Sequence, residues 1–413
     1  MKMKKFLLII VLLLPLASLV FAEESEEEAT DSGLYFSGDV WSNADYYFSG
    51  EGEFNVGAFL SLEKELSSEW TGAVSVQTGA GSIERNGADI FTRDGERPIV
   101  SLREAYVSSE SWRIGKQVLA DEMSVKFDFV SFNLLETRDL SRPFSSLDSD
   151  RLLGNWGVAK SFFDGRLKVI ASLSDPPTIA TDDDDPWTRE LPQGFSYGEI
   201  RSEAEYSVGA RWGDDIGNAK YDVYIQHGAG SSLVDVEASP EGEVRPIVAQ
   251  QTAVSGMVQK PLGEWNLRLG SAGYFQSGYS DFVVAVAELE RFWEFDNGSV
   301  FFFDFGLADT WETQSDDDMP ELDLRRIYEG GTILAAAEYS FDHSALKLKG
   351  AYNVKDEGLY FSAEFSWAVT DSVDLSLKYE AIDGEASKAS PADNAWSQYS
   401  DCDRIVAGLT FYF

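Results

Sequence analysis

The sequence has little of what soluble enzymes and nucleic-acid binders commonly use. Its 413 residues include one cysteine, Cys402, and two histidines, His227 and His343. A lone cysteine excludes a disulfide framework and a cysteine-based zinc site, and two distant histidines leave nothing for a histidine-rich metal centre. Positive charge is also scarce: 33 Lys plus Arg stand against 71 Asp plus Glu, a formal net charge of −38. Phosphate contacts need Lys and Arg, so no nucleic-acid partner is expected, nor a basic helix lying on anionic lipid. No Walker A sequence, dinucleotide fingerprint or haem motif is present, and neither a cofactor nor a metal is expected. No apolar run reaches the ~20 residues that a membrane-crossing helix needs.

The longest apolar run, Phe6 to Val20, follows Lys2, Lys4 and Lys5 and precedes Val20-Phe21-Ala22, with Glu23 next. A basic start, a short apolar stretch and small residues before an acidic one predict a secretory signal peptide over residues 1–22. No cysteine follows it, which excludes a lipid-anchored lipoprotein. Glu23-Glu24-Ser25-Glu26-Glu27-Glu28 then opens an acidic disordered lead-in over 23–33, since like charges cannot bury apolar surface. The chain is expected to be exported.

What the remainder has is alternation, with aromatic residues at 13% and 35 glycines. Leu359, Phe361, Ala363, Phe365 and Trp367 share one parity, and Tyr360, Ser362, Glu364 and Ser366 the other. Val373, Leu375, Leu377 and Tyr379 alternate with Asp374, Ser376, Lys378 and Glu380 in the same way. Successive strand side chains point to opposite faces, so each segment has one apolar and one polar face. A soluble sandwich shares that pattern. Segment lengths of about 9–11 residues, however, match a tilted strand crossing a bilayer, and the connections alternate between short and long. Eighteen segments are counted, or 16 if 111–117 belongs to a loop. The expected fold is therefore all-β, a closed antiparallel transmembrane barrel over 34–413. An even count with short turns on one side is the rule for such barrels. Trp41, Trp70, Trp112, Trp212, Trp265, Trp293, Trp367 and Tyr412, near strand ends, fit the interfacial girdles.

If the apolar parity faces lipid, the other parity lines the interior. The basic residues placed there include Arg103, Arg113, Arg166, Lys168, Arg211, Lys220, Arg268, Lys347, Lys349, Lys378 and Arg404. The acidic ones include Glu203, Glu205, Asp222, Glu288, Glu290, Asp304, Glu364 and Glu380. A wall of nearly balanced charge around a lumen too wide for side chains to fill suits a solute channel, the other reading being a wall of structural ion pairs. The longest link, 118–154, carries Arg138, Arg142, Asp148, Asp150 and Arg151, with Phe127, Phe129, Phe132 and Leu134 to pack it. It is the expected constriction, because long loops in compact folds tend to be functional.

Two resemblances follow. Ile405, Ala407, Leu409, Phe411 and Phe413 form a terminal strand ending on an aromatic, which resembles the assembly signal of outer-membrane β-barrel proteins. This implies the outer membrane of a diderm bacterium, lipid as surroundings and the barrel-assembly machinery as a partner through Phe413. Leu102-Arg103-Glu104-Ala105-Tyr106 followed by Ile114-Gly115-Lys116-Gln117 resembles a strand pair of alginate-export-type barrels and related uncharacterised outer-membrane families. Lys116 stands at the family's usual Arg, and the Trp-Gly pair that often follows the Gln is missing. The resemblance implies an 18-stranded porin conducting a solute, an anionic polysaccharide being one option. The near-neutral wall does not extend it to alginate, whose family has a more basic pore.

The functional expectation is a passive channel for small hydrophilic solutes, saccharides and anions included; a homotrimer is compatible with that class. The alternative is a surface barrel whose acidic loops bind an extracellular ligand. Catalysis is not expected. His227 with Ser231 and Ser232 lacks a serine motif and a third orienting group, and His343 falls in a short turn.

Overall fold

All eighteen alternating segments become staves of one antiparallel sheet in the computed structural model. The structure describes residues 34–48, 52–81, 100–118, 137–138, 152–173, 195–230, 234–240, 242–314, 328–384, 396 and 402–413. The predicted signal peptide and lead-in lie outside the described residues, as does most of 118–154. The barrel strands are β1 (Leu34–Tyr47), β2 (Gly52–Glu65), β3 (Thr71–Gly81), β4 (Val100–Ser108), β5 (Trp112–Gln117) and β6 (Asn155–Phe162). They continue with β7 (Leu167–Leu173), β8 (Tyr206–Ile216), β9 (Ala219–Ala229), β10 (Gln250–Leu262), β11 (Trp265–Gln276) and β12 (Asp281–Glu294). The last six are β13 (Val300–Gln314), β14 (Thr332–Phe341), β15 (Ser344–Asn353), β16 (Leu359–Thr370), β17 (Val373–Asp383) and β18 (Arg404–Tyr412). Each pairs with the next, and β18 pairs back on β1, so the sheet has no edge. Segment 112–117 is paired on both sides, with β4 and with β6, which removes the 16-strand alternative.

Closure and sidedness have the same physical origin. In hydrocarbon every backbone N–H and C=O needs an internal partner, and only a closed sheet provides one for each strand. The outward parity is apolar and exposed: Leu375, Leu377 and Tyr379 on β17, Phe361, Phe365 and Trp367 on β16, Val223 and Ile225 on β9. A belt of this extent is unsuited to water and suited to lipid. At the short-turn end the Trp265 and Trp293 rings meet edge-on at 5.9 Å, and Arg291 lies 4.5 Å over Trp293 while pairing with Glu264. Trp41 is a correction to the predicted girdle. It shares the parity of the buried Asp45 and Tyr47, and its ring covers Gly57, so it faces inward.

Links leaving even-numbered strands are short throughout. Three two-residue examples begin in the left-handed region, at Gly217 (φ 66°), Gly263 (φ 67°) and Asp342 (φ 49°), as tight hairpins require. Links leaving odd-numbered strands include 82–99, 118–154, 174–205, 230–249, 315–331 and 384–403. Two of them join at the long-loop end in a small separate sheet. Glu243–Val248 pairs in parallel with Ser196–Tyr197 and Arg201–Ser202 and antiparallel with Asp235–Ala238. Val234, Ile247 and Ala249 form its own apolar cluster, with Tyr279 packed against it. The Tyr279 hydroxyl donates to Glu203 at 3.3 Å, and its pKa is pushed up to about 12 by burial, then by the charges of Glu203 and Asp235.

The closing seam uses the last residue of the chain. Phe413 and Gly38 exchange both backbone hydrogen bonds at 3.1 Å, and the Phe413 ring stacks on Phe36 at 5.7 Å. A Cβ on Gly38 would come within 2.9 Å of the Phe413 ring and collide with the Phe59 carbonyl. Gly38→Ala is therefore expected to destabilise the barrel by about 1–3 kcal/mol, the usual cost of overpacking. Thermal unfolding of the detergent-solubilised protein checks this; an unchanged midpoint would mean that the seam relaxes freely.

Candidate functional site: the inner wall of the barrel

Register decides which inner side chains meet. On β14 to β17, Glu338 lies opposite Lys347, Lys347 opposite Glu364, and Glu364 opposite Lys378. Opposite charges therefore alternate from strand to strand along one row, the favourable cross-strand arrangement. A neighbouring row runs Lys349, Ser362, Glu380, Arg404 and Tyr47. There Arg404 is buried, with Nε and Nη2 on Glu380 at 2.6 and 2.5 Å and Nη1 on Asp45 at 2.7 Å. Lys378 adds a contact to Glu380 at 2.8 Å, and the Tyr360 hydroxyl donates to the same carboxylate at 3.2 Å.

The arc on the other side is held differently. Arg211 Nε donates to the buried Asp222 at 2.7 Å, and Lys168 faces Arg211 across β7 and β8. The guanidinium of Arg113 lies 4.4 Å over Tyr106. Arg103 sits where the register between β3 and β4 slips, and reaches 5.5 Å over Phe59. Arg268 is fully buried on β11, bonded to Glu288 and to the Met257 sulfur.

Two placements differ from the sequence reading. Arg166 belongs to a turn, because Phe163, Asp164 and Gly165 all take positive φ (54°, 56° and 87°) and the strand starts only at Leu167. It pairs with Asp214 at 3.0 Å on the rim of a cavity of about 560 Å³ that Arg211, Lys220 and Asp222 also line. Glu203 and Glu205 precede β8 rather than lying on its inner face. His227 is on β9 and of outward parity, bonded to Thr252 at 2.9 Å and Gln250 at 3.2 Å; Ser231 and Ser232 are outside the described residues.

The wall also has an apolar sector that the count of charges missed. Phe282, Val284 and Val286 on the inner side of β12 are buried, beside Ala272 and Tyr274 on β11, and Leu334 and Ala336 on β14, beyond β13, are buried as well. Tyr274 stacks on Phe282 at 4.6 Å. The residues Phe282 to Ala287 are apolar on both parities, the pattern of a strand covered on both faces, and that failure of alternation was the available clue.

Of the predicted constriction residues, Arg138 lies in a two-residue strand, Thr137–Arg138, paired with Leu152–Leu153. Arg142, Asp148, Asp150 and Arg151 lie outside the described residues. Among the described residues no group of three or more His, Cys, Asp or Glu is placed to hold a metal ion.

No protein-family model and no curated protein matches the chain. Among solved structures, Acinetobacter baumannii OccAB2 is similar at 11% identity and a TM-score of 0.53, over 94% of this chain and 99% of that one. Pseudomonas aeruginosa OccK11 (OpdR) is similar at 9% identity and a TM-score of 0.51, over 92% and 96% of the two chains. What the chain shares with these structures is the fold, a closed antiparallel β-barrel, which has 18 strands here.

Proposed function

We propose that the protein is an outer-membrane porin, a passive water-filled channel for small hydrophilic solutes, anions and saccharides among them. The observation that carries this reading is the pairing of an apolar outer belt with inner rows of charge in a closed 18-stranded wall. Eighteen strands enclose more than their side chains fill, and charged rows set ion preference in a pore. Short turns would then face the periplasm.

Within that reading the wall residues divide by their partners. Arg268 and Arg404 are fully committed to buried carboxylates and act as structural ties. Arg103, Arg113, Lys168, Arg211, Lys347, Lys349, Glu364 and Lys378 line the solute path, with Arg166 at its rim. Link 118–154 narrows that path, with Arg138, Arg142, Arg151, Asp148 and Asp150 as its selectivity groups. Assembly through the β18 strand ending in Phe413, and a homotrimeric state, belong to the same proposal. The second reading, a surface barrel binding an extracellular ligand, is favoured by the folded sheet that links 174–205 and 230–249 build at the long-loop end.

Single-channel conductance in a planar bilayer, with the reversal potential under a salt gradient, separates the two. A steady conductance whose reversal potential moves toward cation preference in a Lys347→Gln, Lys349→Gln variant is expected. Correctly folded protein that does not conduct would sink the channel and leave the ligand-binding barrel.

A further inference from the structure

A groove and a lysine coincide on the outward side of β2 to β5. The groove has a volume of about 370 Å³ and is walled by Leu62, Leu66, Val74 and Ile114. All four are exposed, by 40% at Ile114 and 56% at Leu66. Its floor is low because two small residues of outward parity stand among them. Gly72 faces Lys64 on one side and Val107 on the other, and Ala105 faces Val74. Leu66, in the turn after β2, leans over Gly72, where a Cβ would lie 3.2 Å from its Cδ1. In a belt that packs against hydrocarbon, a depression is filled by hydrocarbon, since a void forfeits the contacts of its walls.

Lys64 ends the groove on the short-turn side. It is exposed, and the residues directly across from it, Leu34 and Gly72, carry no charge. Three other outward-facing cations share its level: Lys160 on β6, Lys260 on β10 and Arg291 on β12, each among the last residues of an even-numbered strand. Outward-facing acids sit at the opposite end, as Asp309 on β13 and Asp383 on β17 do near the long loops. The belt is therefore positive along its short-turn edge, although the chain carries a net charge of −38. Lysines at a membrane surface attract anionic headgroups, and their stems lie along apolar surface on the way. Lys160 already lies 4.3 Å over the Trp112 ring and donates to Ser111 at 2.8 Å, and Arg291 pairs with Glu264. Lys64 has a groove beside it instead.

We propose that this groove binds one acyl chain of an anionic glycerophospholipid, with Lys64 on the lipid phosphate. The ammonium group donates a charge-assisted hydrogen bond to a phosphate oxygen. The chain runs from there across Gly72 and over Ala105, between Val74 and Ile114, toward the middle of the belt. The proposal rests on the outer-membrane reading for its surroundings and needs no conduction.

The test is native mass spectrometry of the full folded protein released from detergent. The probes are dioleoylphosphatidylglycerol, dioleoylglycerol (the same chains without phosphate) and inorganic phosphate. Phosphatidylglycerol is expected to bind first and most tightly, dioleoylglycerol more weakly, and phosphate alone not at all. Lys64→Gln should weaken the first phosphatidylglycerol about fivefold, the usual value of one basic residue at a lipid surface, and leave dioleoylglycerol unchanged. Ala105→Phe fills the groove and should weaken both lipids. Should Ala105→Phe not fold, Ala105→Leu fills less of it and is expected to act in the same direction. Lys260→Gln removes the same charge at the same level, away from the groove, and should leave the first lipid unaffected. Equal lipid affinity of the Lys64→Gln and unaltered proteins, or phosphate binding without the chains, would overturn the proposal. So would an oligomer that Ala105→Phe dissociates while lipid binding is unchanged, because the groove would then belong to a second copy of the chain. A protein that stays dispersed in water without detergent would refute the membrane reading itself, whereas lipid uptake indifferent to Lys64 and Ala105 would refute the site alone.

Discussion

Replacing Arg404 with methionine is expected to destabilise the barrel by about 3–5 kcal/mol, the usual result of removing one partner from a buried ion pair. Arg404 joins three strands at once. It sits on β18, binds Glu380 on β17 and reaches Asp45 on β1, across the seam where the barrel closes. Without the guanidinium, Glu380 keeps Lys378, but Asp45 loses its bond at 2.7 Å while remaining buried. Arg404→Lys should recover only part of the loss, because one ammonium cannot reproduce the planar fork that spans two carboxylates. Equilibrium unfolding in urea checks both variants. A loss below about 1 kcal/mol, the value of an exposed pair, would mean that water reaches the cluster and that the seam is held by its backbone ladder.

Leu377→Arg and Ser376→Arg are expected to differ sharply although the positions are adjacent. Leu377 points outward from β17 and is 55% exposed. An arginine there, mid-strand in hydrocarbon, should cost about 2–4 kcal/mol. Ser376 has the opposite parity and faces Gly408 on the inner side, where its hydroxyl closes over the glycine. A charge at that position meets the polar wall, and its effect should stay within about 0.5–1 kcal/mol. Folding into lipid vesicles, followed by the shift in electrophoretic mobility of the unheated protein, reads both. Equal tolerance of the two would invalidate the assignment of faces, and the lipid belt with it.

The architecture was legible because its cause is local. A strand with one face in lipid must alternate, so Leu375, Leu377 and Tyr379 could be separated from Ser376, Lys378 and Glu380 without any partner strand in view. Turn chemistry was legible as well, as at Gly263 and Asp342, since a two-residue hairpin demands φ values that few residues accept. Arg166 was misplaced for a related reason: the left-handed run Phe163-Asp164-Gly165 extends the turn by a residue whose type alone reads as strand. The inner apolar sector was missed because one parity was assumed to be polar throughout, an assumption that Phe282, Val284 and Val286 on β12 break, together with Tyr274 on β11 and Leu334 on β14.

The partners of the inner charges were not legible at all. Asp45 and Arg404 are 359 positions apart, and their meeting depends on closure and on the register of β18 against β1. Nor was the groove beside Lys64 legible, since it opens only when the register sets Gly72 opposite that lysine and Ala105 opposite Val74. By itself the sequence determined the two faces and the side of the long loops, because alternation and turns are encoded within about ten residues, whereas the choice between 18 and 16 strands waited on the pairing of 112–117 with both neighbours. Tertiary structure alone decided which charges are tied and where the outer groove lies, since that depends on cross-strand register, and one residue of slip exchanges every neighbour.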